Sequence, residues 1–536
     1  MAGATRHFLF GYHAILSISN AEDDGMADWS AGYVADIGYT HGYYHELNPL
    51  RIKLAFLHSG LACPDVGTAC ELGFGQGLST NIHAAATLTR WYGTDFNPSQ
   101  AAQACEMAEA AGSGAQLFDD AFAEFANRPG LPDFDFIGVH GIWSWVSDEN
   151  RRTIVDFIRR KLKVGGVLYI SYNTQPGWAS FAPMRHLLTA HAASQGAEGR
   201  GIVNQIEGAL TFGKELLALH PRYASTDPGI AKRFEQLGAQ NRSYLAHEYF
   251  NRDWHPMHFS TMGEWLDPAK LQYACSANYS DHFDNLNMSE EQKVFLQNIP
   301  DRMFRETVRD FMVNQTFRRD YWVKGARVLS PLEVSELIGK IRVILVKHRS
   351  AFTYQIQMDG GMVELSETIY RPLLDLLADY QPRTLKEIAD TLAPHGVKFN
   401  QVIEAAMLLS RIGQLAAAQD AKVVSERQAV TARLNDYIEG KARSGADISY
   451  VASPVTGGGI MLGRFNALFA KAIGEGLEDV DALANYVWSI LQAQGQCLIV
   501  KGERLMEPAE NIAELKRNAQ DFLEKQMPVL RALKVM

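Results

Sequence analysis

The sequence predicts a doubly wound, Rossmann-like α/β domain with a helical insertion, followed by a mostly helical, winged-helix-like C-terminal region. Three observations predict it. Short apolar runs alternate with helical-period segments between Val66 and Tyr172, a glycine-rich turn joins one such run to the next helical segment, and strand-like runs disappear after Pro176-Gly177. Alternation of this kind builds a parallel sheet with crossover helices.

Taken in order, the apolar runs place strands at 67–72, 90–94, 116–118, 134–140 and 166–172, with helices at 78–87, 99–111, 121–127 and 148–163. The polar, helical stretch 181–249, within an insertion spanning about 181–255, is suited to capping a cleft. The sheet then resumes with a helix at 261–266, a strand at 270–277 and a last strand at 317–324, closing a first domain over 1–330. A chain of 536 residues exceeds what one core holds, since single cores stop growing near ~250–300 residues. Two further domains are expected, a winged-helix-like regulatory domain over 331–420 and a helical domain over 421–536.

In the second of these, 384–392 and 399–415 have helix-turn-helix spacing, with Gly413 ending the second helix ahead of a wing, or they form a small structural helical domain. Five basic residues face eight acidic ones between Glu364 and Asp420, the wrong balance for a DNA-reading helix. The segment Ser453-Pro454-Val455-Thr456-Gly457-Gly458-Gly459 lacks the Lys-Ser/Thr of a phosphate loop and reads as a turn.

Composition narrows the function. A hydrophobic share of 47% with 21% charged residues describes ordinary packed cores. The formal net charge of −10 leaves no basic excess to neutralise phosphates, so nucleic acid is not an expected partner. Five scattered cysteines without a C-x-x-C pair suit a reducing compartment, and a cytoplasmic location is expected. The apolar run 8–18 contains His13 and is far shorter than the ~20 residues that span a bilayer, so no membrane span is expected.

The sharpest chemical signal is Glu71-Leu72-Gly73-Phe74-Gly75-Gln76-Gly77, where a strand turns into a helix. Glycines there let the backbone approach a ligand and leave N–H groups free at a helix start. The G-x-G-x-G spacing with an acid ahead of it differs from the G-x-G-x-x-G dinucleotide fingerprint, favouring S-adenosylmethionine over NAD. Asp95 follows Gly77 by 18 residues, at the end of the second strand, where an acid accepts both ribose hydroxyls or else caps the next helix. Phe96 stands beside it. Asp119 and Asp120 end the third strand, placed either to take an adenine amino group or to cap a helix.

The fourth and fifth strands end in His140-Gly141-Ile142-Trp143-Ser144-Trp145-Val146 and Tyr172-Asn173-Thr174-Gln175-Pro176-Gly177-Trp178. Carboxyl ends of strands in an open sheet border the reaction crevice, and aromatic rings there hold cations by cation–π contact. Alternatively Trp143, Trp145 and Trp178 pack beneath the insertion.

With these residues in place the chain resembles class I methyltransferases that carry a methyltransferase regulatory domain. Within that group it is similar to the rickettsial outer-membrane-protein lysine methyltransferases. The likeness runs from about Tyr33 onward and includes Tyr39, Tyr43-Tyr44-His45-Glu46, Gly165-Gly166, His247-Glu248-Tyr249 and Trp254-His255-Pro256. The resemblance implies methyl transfer from S-adenosylmethionine, giving S-adenosylhomocysteine, to lysine side chains of a protein substrate. The chain departs from the lysine-modifying members at Phe74 and Gln76.

In-line methyl transfer needs alignment and exclusion of water but no metal. The expected acceptor-side wall is Tyr172, Asn173 and Trp178, with His140 and Trp143 opposite, and Tyr39 and Tyr44 form a lid over the donor. His255-x-x-His258 presents two imidazoles without a third ligand at a recognisable spacing, so no metal is assigned. Two rival functions remain. One is a methyltransferase acting on a small-molecule or glycan hydroxyl, with His140 or His186 as base. The other is a non-catalytic, cofactor-sensing regulatory protein. A homodimer is left open as the association state.

Overall fold

The sheet is the frame on which everything else is hung. The computed structural model describes residues 33, 38, 40–195, 201–358 and 361–536. The apolar run 8–18 and Tyr39 lie outside the described residues.

Helix α1 (Pro49–His58) precedes the first strand, β1 (Thr68–Leu72), which passes through α2 (Leu78–Ala86) to β2 (Arg90–Thr94). Next come α3 (Pro98–Ala111), β3 (Gln116–Phe118), α4 (Phe122–Asn127), β4 (Phe134–Val139), α5 (Asp148–Lys161) and β5 (Leu162–Asn173). The insertion is four helices, α6 (Ala182–Gln195), α7 (Gly201–Ala218), α8 (Gly229–Gly238) and α9 (Arg242–Tyr249). Then α10 (Phe259–Leu266), β6 (Gln272–Ser276) and β7 (Phe317–Val323) complete a seven-stranded sheet in the order β3-β2-β1-β4-β5-β7-β6. The first five strands are mutually parallel, and β7 runs antiparallel to both β5 and β6.

Local chemistry explains the element ends. Pro98 starts α3, the Asn97 side chain accepts from the N–H groups of Ser99 and Gln100, and Gly112 ends the helix in the left-handed region. The Ser147 hydroxyl caps α5, whose first turn carries Asp148 and Glu149 and whose last carries Arg159, Arg160 and Lys161, matching the helix dipole. That helix stops at Lys161, short of the expected 163, because Leu162 already pairs with Phe134 of β4. Strand β1 is buried along its whole length, as expected of a parallel strand covered on both faces.

The region after β7 is mostly helical, with small two- and three-stranded sheets. The helices Leu385–Leu392 and Phe399–Arg411 fall within the expected 384–392 and 399–415, the second stopping at Arg411 ahead of a strand that starts at Leu415. After Gly413 comes a single strand, Leu415–Ala418, which pairs back onto Arg342–Leu345 and leads directly into the helix Ala421–Lys441. The glycine-rich segment after Ser453 is the turn of a hairpin, Tyr450–Ser453 with Gly458–Met461.

This region is fastened to the sheet domain through helix ends. Arg427 donates to the carbonyls of Ala84 and Ala85 at 2.6 and 2.9 Å, and Arg433 to that of Ala111 at 2.9 Å. The unsatisfied C-terminal carbonyls of α2 and α3 thereby gain charged donors from one long helix. The five cysteines are unpaired, and no helix among the described residues is long and apolar enough to cross a membrane.

Candidate active site

The turn after β1 is built by three glycines with φ of 73°, 57° and 70° at 73, 75 and 77. Left-handed backbone is costly for any residue with a Cβ. At Gly73 a Cβ would also stand 2.4 Å from Ile142 Cδ1, so nothing larger fits. Gly77 precedes α2 without a side-chain cap, which leaves first-turn N–H groups for a ligand.

Gly75 donates its N–H to Asp95 Oδ2 at 2.8 Å, and Asn97 donates to Oδ1 at 3.1 Å. Each carboxylate oxygen keeps a lone pair, so Asp95 can still accept from a diol. Burial pushes the Asp95 carboxyl up to about 6, against the pull of those two N–H groups. Burial likewise pushes Glu71 up to about 8, although the Thr80 hydroxyl bonds to its Oε2. Among the described residues neither buried acid has a cationic partner, and a bound cation would favour their ionised forms.

Both acids line a cavity of about 880 Å³, including its mouth, at the carboxyl ends of β1, β2 and β4. Its walls include Gly73, Gly75, Gly77, Tyr33, Tyr44, Phe74, Phe96, Phe122, His140, Trp145, His247 and Glu248. Among the described residues no lysine or arginine lines it. His140 is sandwiched between Tyr44, whose ring stacks at 3.5 Å, and Tyr169, whose hydroxyl lies 2.7 Å from Nδ1. This enclosure pushes the imidazole down to about 3, with Glu46 opposing, so at neutral pH the ring is uncharged. Tyr44 is fixed from below by its N–H donating to Ser79 Oγ of α2 at 2.9 Å.

Of the remaining expected site residues, several are placed elsewhere. Tyr172 is 1% exposed and donates to Asp320 Oδ2 at 2.8 Å, inside a buried network with Arg318. Trp143 is fully buried, its indole N–H directed at Met257 Sδ. Trp178 donates to the Thr316 carbonyl at 3.0 Å and packs against Trp254 and Arg233 under the insertion. None of the three lines the cavity, a correction to the expected acceptor wall. The physical reason is the loop itself. Thr174 and Gly177 donate to the carbonyls of Thr316 and Gln315, and a Cβ at Gly177 would stand 2.3 Å from the Gln315 oxygen. The Asn-Thr-x-Pro-Gly-Trp motif anchors the end of β5 to the start of β7.

Asn173 also lies outside the lining and is 5% exposed, but its Nδ2 makes no hydrogen bond among the described residues. Asp119 and Asp120 face a separate acidic hollow, and Asp120 is bound by Arg128 at 2.5 and 2.7 Å. Neither acid is among the residues that line the cofactor cavity, and the Asp120 carboxylate is held by Arg128.

The cavity gains Tyr33, Trp145, His247 and Glu248, which sequence reasoning left out of the site. The signal for His247-Glu248 was present in the motif His247-Glu248-Tyr249, but only folding carries α9 over the cavity. Among the described residues no three His, Cys, Asp or Glu side chains come together as metal ligands. His258 stacks on Phe311, and His255 lies 3.6 Å from Asp253.

Residues 241–324 match the family described as "Predicted methyltransferase regulatory domain". That span supplies α9, α10, β6 and β7, and so falls ahead of 331–420, where the sequence placed a regulatory domain. The uncharacterized protein sll1526 of Synechocystis sp. (strain ATCC 27184 / PCC 6803 / Kazusa) is 38% identical over 510 residues, covering 94% of this chain and 99% of its own length. The uncharacterized protein RP789 of Rickettsia prowazekii (strain Madrid E) is 25% identical over 300 residues, 53% of this chain and 51% of its own length. The solved structure of PKMT2 from Rickettsia typhi in complex with AdoHcy shares the fold, with a TM-score of 0.66 at 16% identity over 92% of this chain and 100% of that one.

Fold and site define a class I, S-adenosylmethionine-dependent methyltransferase. The chain belongs to the same family as Synechocystis sll1526, and its residues 241–324 match the methyltransferase regulatory domain.

Proposed function

We propose that this methyltransferase methylates lysine amines of a protein substrate. The observation that carries the reading is the cavity lining, in which carboxyl groups at Glu71, Asp95 and Glu248 and a ring of aromatic side chains stand without a lysine or arginine. Such a lining attracts and desolvates cations, and both a sulfonium donor and an ammonium acceptor are cationic.

Asp95 would accept the ribose hydroxyls, the glycine turn and the start of α2 would receive the amino-acid end, and Phe74, Phe96 and Phe122 offer faces to a purine. When bound, S-adenosylmethionine supplies an electrophilic methyl group on a sulfonium. The residues of the chain do the rest. Tyr44 and the uncharged His140 wall the donor without adding repulsive charge. Glu248, on α9 of the insertion, draws an ammonium towards the mouth. A lysine amine with a reference pKa of ~10.4 arrives protonated, and the aromatic enclosure favours release of that proton to solvent, after which the neutral amine would form the new N–C bond as the sulfonium S–C bond breaks. Full-length similarity to the fold of PKMT2 supports a protein acceptor.

A hydroxyl acceptor needs a base, and the geometry favours it less. His140, held at about 3, is a weak one, and His186 is exposed on α6 outside the cavity lining. Asn173, with its uncommitted amide donor beside this wall, is proposed to orient the acceptor. Asn173→Ala is expected to lower kcat about tenfold while leaving cofactor affinity unchanged. An unchanged kcat would return Asn173 to a packing role.

The function is tested by incubating the full chain with labelled S-adenosylmethionine and, separately, cell protein and a small-molecule and glycan extract. Label on protein lysines is the expected result. Label confined to the other fraction would move the acceptor to a hydroxyl, and tight cofactor binding with no label anywhere would leave a sensor.

A further inference from the structure

A second cavity, of about 1690 Å³ including its mouth, lies behind the cofactor cavity, between α1 and the C-terminal region. Its charged lining is of one sign: Arg51, Lys347 and Arg411 border it, His45 stands at its edge, and no carboxylate lines it among the described residues.

The cations are held together by the fold. Arg51 is 8% exposed, with its guanidinium 3.8 Å from the Tyr279 ring centroid. Arg411 donates to Asn278 Oδ1 at 2.9 Å, on the residue next to Tyr279, and Lys347 Nζ lies 3.5 Å from the carbonyl of Ile412, next to Arg411. Glu46, on which Arg51 also acts through space, lies 3.4 and 3.5 Å from His45 and Arg319 and does not line the cavity. Nε and Nη2 of Arg51 are buried and make no hydrogen bond among the described residues. A buried guanidinium with idle donors is expensive, and a ring face compensates only in part. A planar carboxylate or a phosphate supplies the missing acceptors in the fork geometry that arginine prefers.

We propose that this cavity is a binding site for a small oxyanion, a carboxylate or a phosphate carrying an apolar portion, held by Arg51 and Arg411 with Lys347 at the rim. The apolar portion meets Tyr43, Leu54 and Ile341. The site adjoins the catalytic one through consecutive residues, because Tyr43 and His45 line this cavity while Tyr44 between them lines the cofactor cavity. An occupant therefore bears on the segment that presents Tyr44 to the donor.

The full chain is titrated calorimetrically with phenyl phosphate and with phenylacetate, using the uncharged phenylacetamide as control, with and without S-adenosylhomocysteine. Saturable binding of one or both anions, absent for the amide and retained beside S-adenosylhomocysteine, is expected. Arg51→Met should weaken it about tenfold or more, as loss of a charged hydrogen-bonding group does, and Lys347→Gln two- to threefold. Should Arg51→Met fail to fold, Arg411→Gln is read in its place with the same tenfold expectation. No binding of either anion, displacement of both by S-adenosylhomocysteine, or equal affinity in wild type and the arginine variant would overturn the proposal.

Discussion

The carboxyl ends of β4 and β5 are neighbours in one sheet, carry similarly aromatic loops, and have opposite roles. The loop after β4 sends His140, Ile142 and Trp145 into the cofactor cavity. The end of β5 and the loop after it turn Tyr172 and Trp178 inward, onto Asp320 and Thr316. The difference lies in what each strand has beside it. Strand β4 is flanked by β1 and β5, and its end faces open space at the switch point where the strand order reverses. Strand β5 is flanked by antiparallel β7, whose start lies against the end of β5 and supplies carbonyls for the loop to bond. An aromatic loop at a strand end is thus a ligand wall only where no reversed strand covers it.

Substitutions on the two sides should separate cleanly. The largest effect is expected from Gly73→Ala, where a left-handed backbone and a contact with Ile142 both forbid a Cβ. Cofactor affinity measured by calorimetry should fall about 100-fold or more. Next comes Asp95→Ala, which removes a charged acceptor of two backbone donors and, as proposed, of the ribose diol, for a loss of about 10- to 100-fold in the same assay.

The wild-type pH dependence carries a related, smaller signal. With its pKa raised to about 6, Asp95 is protonated below that pH and ionised above it. A cationic ligand needs the ionised form, so affinity should rise about tenfold from pH 5 to pH 7, with a further rise around pH 8 as Glu71 ionises. The same titration in Asp95→Ala should lose this step, and a step of equal size there would assign it to another group.

For the buried aromatics on the β5 side the expected effects are on stability. Tyr172→Phe deletes one hydrogen bond to an Asp320 that keeps Arg318 as partner, costing about 1–2 kcal/mol and a few degrees in Tm. Its kcat and cofactor affinity should match wild type. A kcat that falls tenfold with unchanged Tm would put Tyr172 back at the acceptor and dissolve the contrast between the two loops.

Much of this molecule was legible in the chain. Strands at 90–94 and 116–118 begin and end where expected, because each carries buried apolar side chains in a short segment bounded by polar turn formers. The glycine turn with Asp95 was legible because glycine spacing and a strand-end acid are local features. The misplacement of Tyr172, Trp143, Trp178 and Asp120 shares one cause. Each side chain is claimed by a partner that local pattern does not reveal: Asp320, Met257, Thr316 and Arg128. Trp178 meets its acceptor across 138 residues of sequence, and Tyr172 across 148.

The sequence by itself determined the element order, the cofactor turn and the acid that faces it, since these depend on periodicity, backbone conformation and spacing within one strand–turn–helix unit. Tertiary structure alone decided which aromatic residues line the cavity, that α9 brings Glu248 into its lining, and that two Arg51 donors find no hydrogen-bond partner among the described residues. Those outcomes depend on burial and on long-range partners, and desolvation acts on a side chain only once distant segments have closed around it.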